Sequence, residues 1–135
     1  MSLKNLSVRK KIPKIYNSKI LNRKVNKIFK KFEKSFKIDK NFIVAVSGGA
    51  DSLALAFLTK VYALKKNLNP RYFIVDHKLR KESTYEAYKV KKILKSLKIN
   101  SQVLTWKGKK PMSNIQSFAR SKRYELLFFK CKQLK

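Results

Sequence analysis

Acidic side chains are scarce in this sequence of 135 residues: seven Asp and Glu stand against 35 Lys and Arg, a formal net charge of +28. None of the seven precedes Glu33. So one-sided a balance predicts association with a polyanion, nucleic acid first. Abundant lysine, asparagine and isoleucine also fit an AT-rich genome, which raises basicity throughout. Cysteine is nearly absent. Cys131 alone rules out a disulfide framework, or a cysteine metal cluster within one chain. Its place on a late helix suggests a small apolar packing residue. No apolar run approaches membrane-spanning length, and the N-terminus lacks the apolar core of a secretory signal. No membrane partner and a reducing, cytoplasmic home are therefore expected.

Glycine is rare too, and what there is of it is concentrated. Two of the three glycines, Gly48 and Gly49, are adjacent, within FIVAVSGGADS at residues 42–52. Phe42, Ile43, Val44, Ala45 and Val46 form an apolar run of strand length. The Ser-Gly-Gly turn ends it, and an apolar helical pattern follows at once. A strand, a glycine turn and a helix start make an anion site. Glycines let backbone N–H groups turn inward, and the first turn of the helix adds free donors and a positive dipole end. The plainer alternative is an ordinary strand–helix turn with Ser or Asp as the cap. The spacing is neither the GxxxxGK[ST] of a Walker A loop nor GxGxxG.

Around this turn the pattern alternates. Residues 1–17 are basic, poorly periodic and contain Pro13, so they read as a flexible basic arm. A targeting peptide shares that composition, but lysine rather than arginine dominates here. Residues 18–36 predict an amphipathic helix with Leu21, Val25, Ile28 and Phe32 on one face. A helix over 53–64 is apolar nearly all round, which predicts burial, and Asn67-Leu68-Asn69-Pro70 breaks it. A strand is expected at 71–75 and a polar loop at 76–83. A helix follows with Ala87, Val90, Leu94 and Leu97 on one face, then a strand near 101–106. The last helix, from Ser113, carries Tyr124, Leu127, Cys131 and Leu134 in one stripe. Alternating strands and helices imply a parallel sheet, with ligands at the carboxyl ends of its strands. Residues 47–52 and 76–83 both follow strand ends, so they are expected on the same edge. At 135 residues the chain makes one domain with a modest core, residues 18–135 following the arm.

The turn Ser47-Gly48-Gly49-Ala50-Asp51-Ser52 resembles the PP-loop, SGGxDS, of ATP pyrophosphatases. Those enzymes split ATP between its α and β phosphates and leave a substrate adenylated. Two further stretches extend the likeness: VDHKLRKES at residues 75–83 and NIQSFARSKRY at 114–124. In this order and spacing the three resemble the tRNA(Ile)-lysidine synthetase family, whose patterns are close to VDHxLRxES and NIQxxARxxRY, over about residues 40–130. The resemblance implies a Rossmann-like, parallel-sheet α/β PP-loop domain of the adenine nucleotide α-hydrolase-like kind, here with an N-terminal helix. It also implies an ATP-dependent carbon–nitrogen ligase. With ATP and Mg²⁺ such enzymes adenylate the wobble cytidine of tRNA(Ile), and L-lysine then displaces AMP.

The residues fit that implied chemistry. Ser47, Gly48, Gly49, Ala50, Asp51 and Ser52 are the expected phosphate cradle. Asp51 is the expected Mg²⁺ ligand and catalytic carboxylate, since hard cations choose oxygen; helix capping is its alternative. The chain has six arginines, and three of them, Arg80, Arg120 and Arg123, sit inside the motifs. Their planar fork suits bidentate phosphate contact. Arg120 and Arg123 are three apart and project from neighbouring positions of one helix. One is expected on ATP phosphate and the other on tRNA, with Arg120 the catalytic candidate and Arg80 and Arg123 nucleotide-binding. His77, the only histidine, is expected to contact nucleotide, with proton acceptance or a structural hydrogen bond as alternatives. Asp76 is open to two readings, ribose contact or loop cap. Trp106 is expected in the core or a pocket wall.

The family continues past the NIQ helix into a segment resembling HHxxDD and into domains that hold tRNA. Nothing like HHxxDD occurs in these residues. The expectation is therefore an N-terminal portion of such an enzyme, with a complementing C-terminal fragment or self-association as partners. The strand at 42–46 would then be an open sheet edge. The alternatives are a catalytically incomplete ATP- and RNA-binding module, or another PP-loop tRNA-modifying enzyme. Thiolases of the latter kind bring paired cysteines, which a single Cys131 does not supply.

Overall fold

The apolar runs become parallel strands. A computed structural model describes residues 12–134, with α1 (Lys14–Ile20), α2 (Arg23–Ser35), β1 (Ile43–Ala45), α3 (Ala50–Lys66), β2 (Arg71–Asp76), α4 (Ser83–Ser96), β3 (Ser101–Thr105) and α5 (Ile115–Gln133). The chain resolves into two compact units, residues up to 42 with 57–70, and residues 43–56 with 71 onward.

The second unit holds the sheet, in the order β1-β2-β3, with both pairings parallel. Central β2 buries Tyr72, Phe73 and Ile74 in succession. Unbroken burial, rather than alternation, is the mark of a parallel strand covered on both faces. β1 is shorter than its apolar run, but Val46 N–H still donates to the Phe73 carbonyl at 2.9 Å. Among the described residues β1 pairs with β2 alone, which makes it an edge strand. Parallel neighbours need a crossover. α4 supplies the one from β2 to β3 and packs on both, burying Ser83, Ala87, Val90 and Leu94. α5 packs on β2.

The face that α5 buries differs from the expected stripe. Ala119 is buried, while Tyr124 and Cys131 are exposed. The small side chain of Ala119 allows close approach, and beside it Phe118 meets the ring of Trp106 edge-on at 5.1 Å. With the face so set, Cys131 falls outside it and does not pack as expected. In α3, likewise, Ala54 and Leu55 are exposed although the helix reads as apolar all round.

The first unit is built on aromatic rings. Tyr16, Phe29, Val61 and Tyr62 form its buried cluster, with Ile12, Ile15 and Ile20 packed against it. This is why α1 begins at Lys14, inside the stretch expected to be an arm; residues 1–11 of that stretch lie outside the described residues. The single helix expected over 18–36 is interrupted. Asn22 Oδ1 accepts from the N–H groups of Lys24 (3.0 Å) and Val25 (3.4 Å), a cap that restarts the helix. The buried stripe also shifts: Phe29 is 4% exposed, against 84% for Leu21 and 56% for Ile28. Phe32 stacks on Phe36 at 4.7 Å, and Phe36 meets Tyr62 edge-on at 5.0 Å. Burying these large rings outweighs burying aliphatic Leu21 and Ile28. Tyr62 Oη donates to the Ile38 carbonyl at 2.8 Å.

Two substitutions one residue apart separate the observed stripe from the expected one. Phe29→Ala is expected to destabilise the chain by about 3–5 kcal/mol. Ile28→Ala should stay within about 0.5 kcal/mol. Urea unfolding of both variants checks this, and equal losses would contradict it.

Candidate functional site

One position in the turn after β1 must be glycine. Gly48 has φ +94°, a conformation that residues with a Cβ rarely adopt. A Cβ there would also run into Cγ2 of Val90 on α4. At Gly49 an added Cβ would meet only Ser47 Oγ, at an ordinary 3.7 Å. Ser52 holds the turn together. Its Oγ accepts from Ser47 N–H (3.2 Å), Gly48 N–H (3.1 Å) and the Ser47 hydroxyl (3.0 Å), and donates to the Gly49 carbonyl (3.0 Å). Donors of the turn thus converge on one oxygen. Ala50, Asp51 and Ser52 open α3, where N–H groups lack acceptors within the helix. Asp51 lies exposed in that first turn.

The second loop is organised by a buried acid. Asp76 is 1% exposed. Its Oδ1 accepts from Lys78 N–H (3.0 Å) and Ser83 Oγ (2.9 Å), and its Oδ2 from Thr84 Oγ1 (2.6 Å). Burial alone would push the carboxyl up. The hydrogen bonds from Thr84, Ser83 and Lys78, with the Lys78 charge, outweigh it and hold Asp76 below its ordinary range. These bonds tie Asp76 to its own loop and to the start of α4. His77 Nδ1 accepts from Leu79 N–H at 3.2 Å, so the neutral ring carries its proton on Nε2. Burial first, then the charges of Arg80 and Arg123, lower its pKa against the opposing pull of Asp76 and Glu86. Arg80 Nη2 donates to Glu86 Oε2 at 2.8 Å. Both side chains are more than half exposed, so this pair adds little stability and leaves Arg80 able to change partner.

A cleft of about 300 Å³ lies at the carboxyl ends of β1 and β2, at the lower end of the range for small-ligand sites. Val46, Phe73, Val75 and Ala87 give it apolar walls, and Ser47, His77, Arg80 and Arg123 give it polar and cationic ones. Residues from all three motifs therefore meet there. The two C-terminal motif arginines part company: Arg123 lines the cleft, while Arg120 is exposed, its guanidinium 5.8 Å from the Tyr124 ring centroid. Asp51 and Arg120 are not among the lining residues. Three contacts escaped the sequence reading, which placed Val90 only on a helix face. Val90 packs against Gly48, Thr84 bonds Asp76, and Glu86 pairs with Arg80 in the cleft wall. Thr84 and Glu86 had a signal, since each lies in the first turn of the helix that follows the motif.

Among the described residues no three His, Cys, Asp or Glu side chains gather as a metal-ligand group. A single exposed Asp51 carboxylate fits Mg²⁺ as it is usually held, by one or two carboxylates with substrate phosphates and water. It does not fit an ion enclosed by protein.

A family model described as the PP-loop domain matches residues 17–135. The chain is 45% identical over 91 residues to the tRNA(Ile)-lysidine synthase of Bartonella henselae. It is 40% identical over 105 residues to that of Brucella anthropi, and 41% over 88 residues to that of Rickettsia akari. These stretches cover 66%, 76% and 65% of this chain but 18%, 23% and 20% of the respective relatives. The chain thus spans about a fifth of the length of the curated relatives it matches. Among the described residues no helix is long and apolar enough to cross a membrane.

Gly48→Ala is expected to destabilise the turn by about 1–2 kcal/mol for the left-handed backbone alone, with the Val90 contact adding to it. Gly49→Ala should be nearly neutral. Chemical denaturation of the two variants decides, and the opposite order would refute this account of the turn. For His77, ring signals followed by NMR should titrate with a midpoint below the usual ~6.5. The unfolded chain then binds more protons near that pH than the folded one. Stability is accordingly full above about pH 6.5 and falls as the pH drops through the lowered value. His77→Gln should flatten that fall. A midpoint at or above 6.5 would contradict the assignment.

Proposed function

The chain belongs to the PP-loop domain family, and we propose that it forms the ATP-binding part of a tRNA(Ile)-lysidine synthetase. The observation that carries this reading is the meeting of Ser47, His77, Arg80 and Arg123, drawn from three separate motifs, in one cleft at the strand ends. The names of the relatives support the substrate, a tRNA(Ile). Lysine as the second substrate, and a reducing cytoplasm as its setting, belong to the same proposal.

In this reading the glycine turn receives the phosphates of ATP. Its N–H groups are released from the Ser52 hydroxyl to the anion, and the first N–H groups of α3 join them. Arg123 and Arg80 balance phosphate charge from the cleft side, Arg80 by leaving Glu86. The apolar walls formed by Val46 and Phe73 suit an adenine ring. Asp51 would hold Mg²⁺, which would neutralise phosphate charge. The cytidine oxygen at carbon 2 attacks the α phosphorus, pyrophosphate leaves, and the lysine amine then displaces AMP. Such transfer depends mainly on positioning and electrostatic stabilisation. Held neutral, His77 is suited to hydrogen bonding at the rim of the cleft. Arg120, outside the lining, is assigned to the RNA side.

Arg123→Ala should weaken ATP–Mg²⁺ binding on the order of tenfold or more, the usual worth of a hydrogen bond to a charged group. Arg120→Ala should change it less than about twofold. Isothermal titration of both variants checks the division, and equal losses would overturn it. The reaction itself is tested by transfer of labelled lysine to tRNA(Ile), using protein that carries this chain with ATP and Mg²⁺. ATP-dependent transfer that is lost in Arg123→Ala is the expected result. ATP binding without any transfer would instead leave a nucleotide- and RNA-binding module.

A further inference from the structure

The outer face of α4 carries large rings where a solvent-facing helix has no need of them. Tyr85 is 72% and Tyr88 56% exposed. They are three apart and therefore neighbours on the helix surface. Lysines flank the rings: Lys89 and Lys92, with the uncharged Ile93 and Ser96, border one shallow groove together with Tyr85 and Tyr88. Lys91 Nζ lies 5.8 Å from the Tyr88 ring centroid. The inner face of the same helix, Ser83, Ala87, Val90 and Leu94, is buried. Glu86, an acid of this helix, is paired with Arg80 and lines the cleft. The outer face thus presents two rings among lysines.

We propose that this face binds an unpaired stretch of RNA, with bases stacked on Tyr85 and Tyr88 and phosphates held by Lys89 and Lys92. Charge complementarity selects this occupant. A second copy of a chain carrying +28 would bring its own lysines against these and be repelled. A polyanion is attracted and releases counterions. Stacking platforms flanked by cations are the usual way to hold single strands, because every base offers a flat face and the phosphates run alongside. The helix also joins this surface to the cleft: Glu86 and Ala87 line the cleft, and the neighbouring Tyr85 and Tyr88 face outward. RNA held here runs beside the nucleotide site rather than across it. The inference deepens the proposed function and rests on it for the class of partner.

The experiment uses the intact chain and a fluorescent 12-mer of oligouridylate, without ATP, followed by fluorescence anisotropy at several salt concentrations. The double variant Tyr85→Ala, Tyr88→Ala should bind about tenfold or more weakly for each ring that carries a base. Tyr85→Phe with Tyr88→Phe keeps the rings and should bind like the unaltered chain. Lys89→Gln with Lys92→Gln should lower the slope of log affinity against log salt by roughly 0.7 for each phosphate no longer neutralised. Lys27→Gln with Lys31→Gln removes equal charge from α2 and should cost much less affinity. Unchanged binding by the double alanine variant would overturn the proposal. So would an equal loss in the α2 control, which would mean diffuse charge attraction. Self-association of the chain that disappears in the alanine variant would assign the face to a second copy instead. Failure of the ATP-site reading would appear separately, as absent ATP binding by the unaltered chain.

Discussion

The close contact between Gly48 and Val90 is the constraint on which the site depends. Without a Cβ the turn passes against α4 in a left-handed conformation, and the Ser52 hydroxyl can then gather the Ser47 and Gly48 N–H groups. The same helix fixes the second loop. Ser83 and Thr84, in its first turn, bond the buried carboxylate of Asp76, and further along that turn Glu86 holds Arg80. Both loops therefore rest on α4, which itself packs on β2 and β3 and buries Val90 and Leu94. Their shared register at the strand ends is a consequence of this packing. A cleft built this way is formed before any ligand arrives, which reduces the ordering cost of binding.

Charge acts at two scales. The excess of lysine across the chain draws anions from a distance and raises encounter rates, but it is diffuse and salt-sensitive. Selection is local. The cleft combines apolar walls with Arg80, Arg123 and a neutral His77, and an arginine fork discriminates by geometry as well as by charge. The neighbouring cations are part of what keeps His77 uncharged, so the ring remains a hydrogen-bonding group beside them. On the far side of α4 the lysines surround Tyr85 and Tyr88, where exposed rings add flat surface to the field.

Much of this was legible in the sequence, for reasons tied to particular residues. The apolar run ending in Gly48 and Gly49 marks β1 and its turn, because few other contexts concentrate the glycines of so glycine-poor a chain. Ala87, Val90 and Leu94 locate the inner face of α4, since lysines and tyrosines occupy the other positions. The failures arose where periodicity was ambiguous. Leu21, Val25, Ile28 and Phe32 form a valid helical stripe, yet Asn22 caps and restarts the helix, and the ring cluster of Phe29, Phe32, Phe36 and Tyr62 sets the buried face. Cys131 matches a stripe on α5 that Ala119 displaces. Which glycine the turn requires, and which arginine faces the cleft, depend on tertiary packing against Val90 and the strand ends. No spacing rule encodes that packing.

The central claim is that the turn after β1 and the cleft beside it form one nucleotide site. Amide and imidazole shift mapping on isotopically labelled chain, titrated with ATP–Mg²⁺, tests this most directly. The account predicts the largest perturbations at the amides of residues 47–52 and at the His77 ring, with the α1 and α2 amides nearly silent. Saturable perturbations confined to lysine-rich surfaces, with the turn unaffected, would contradict it.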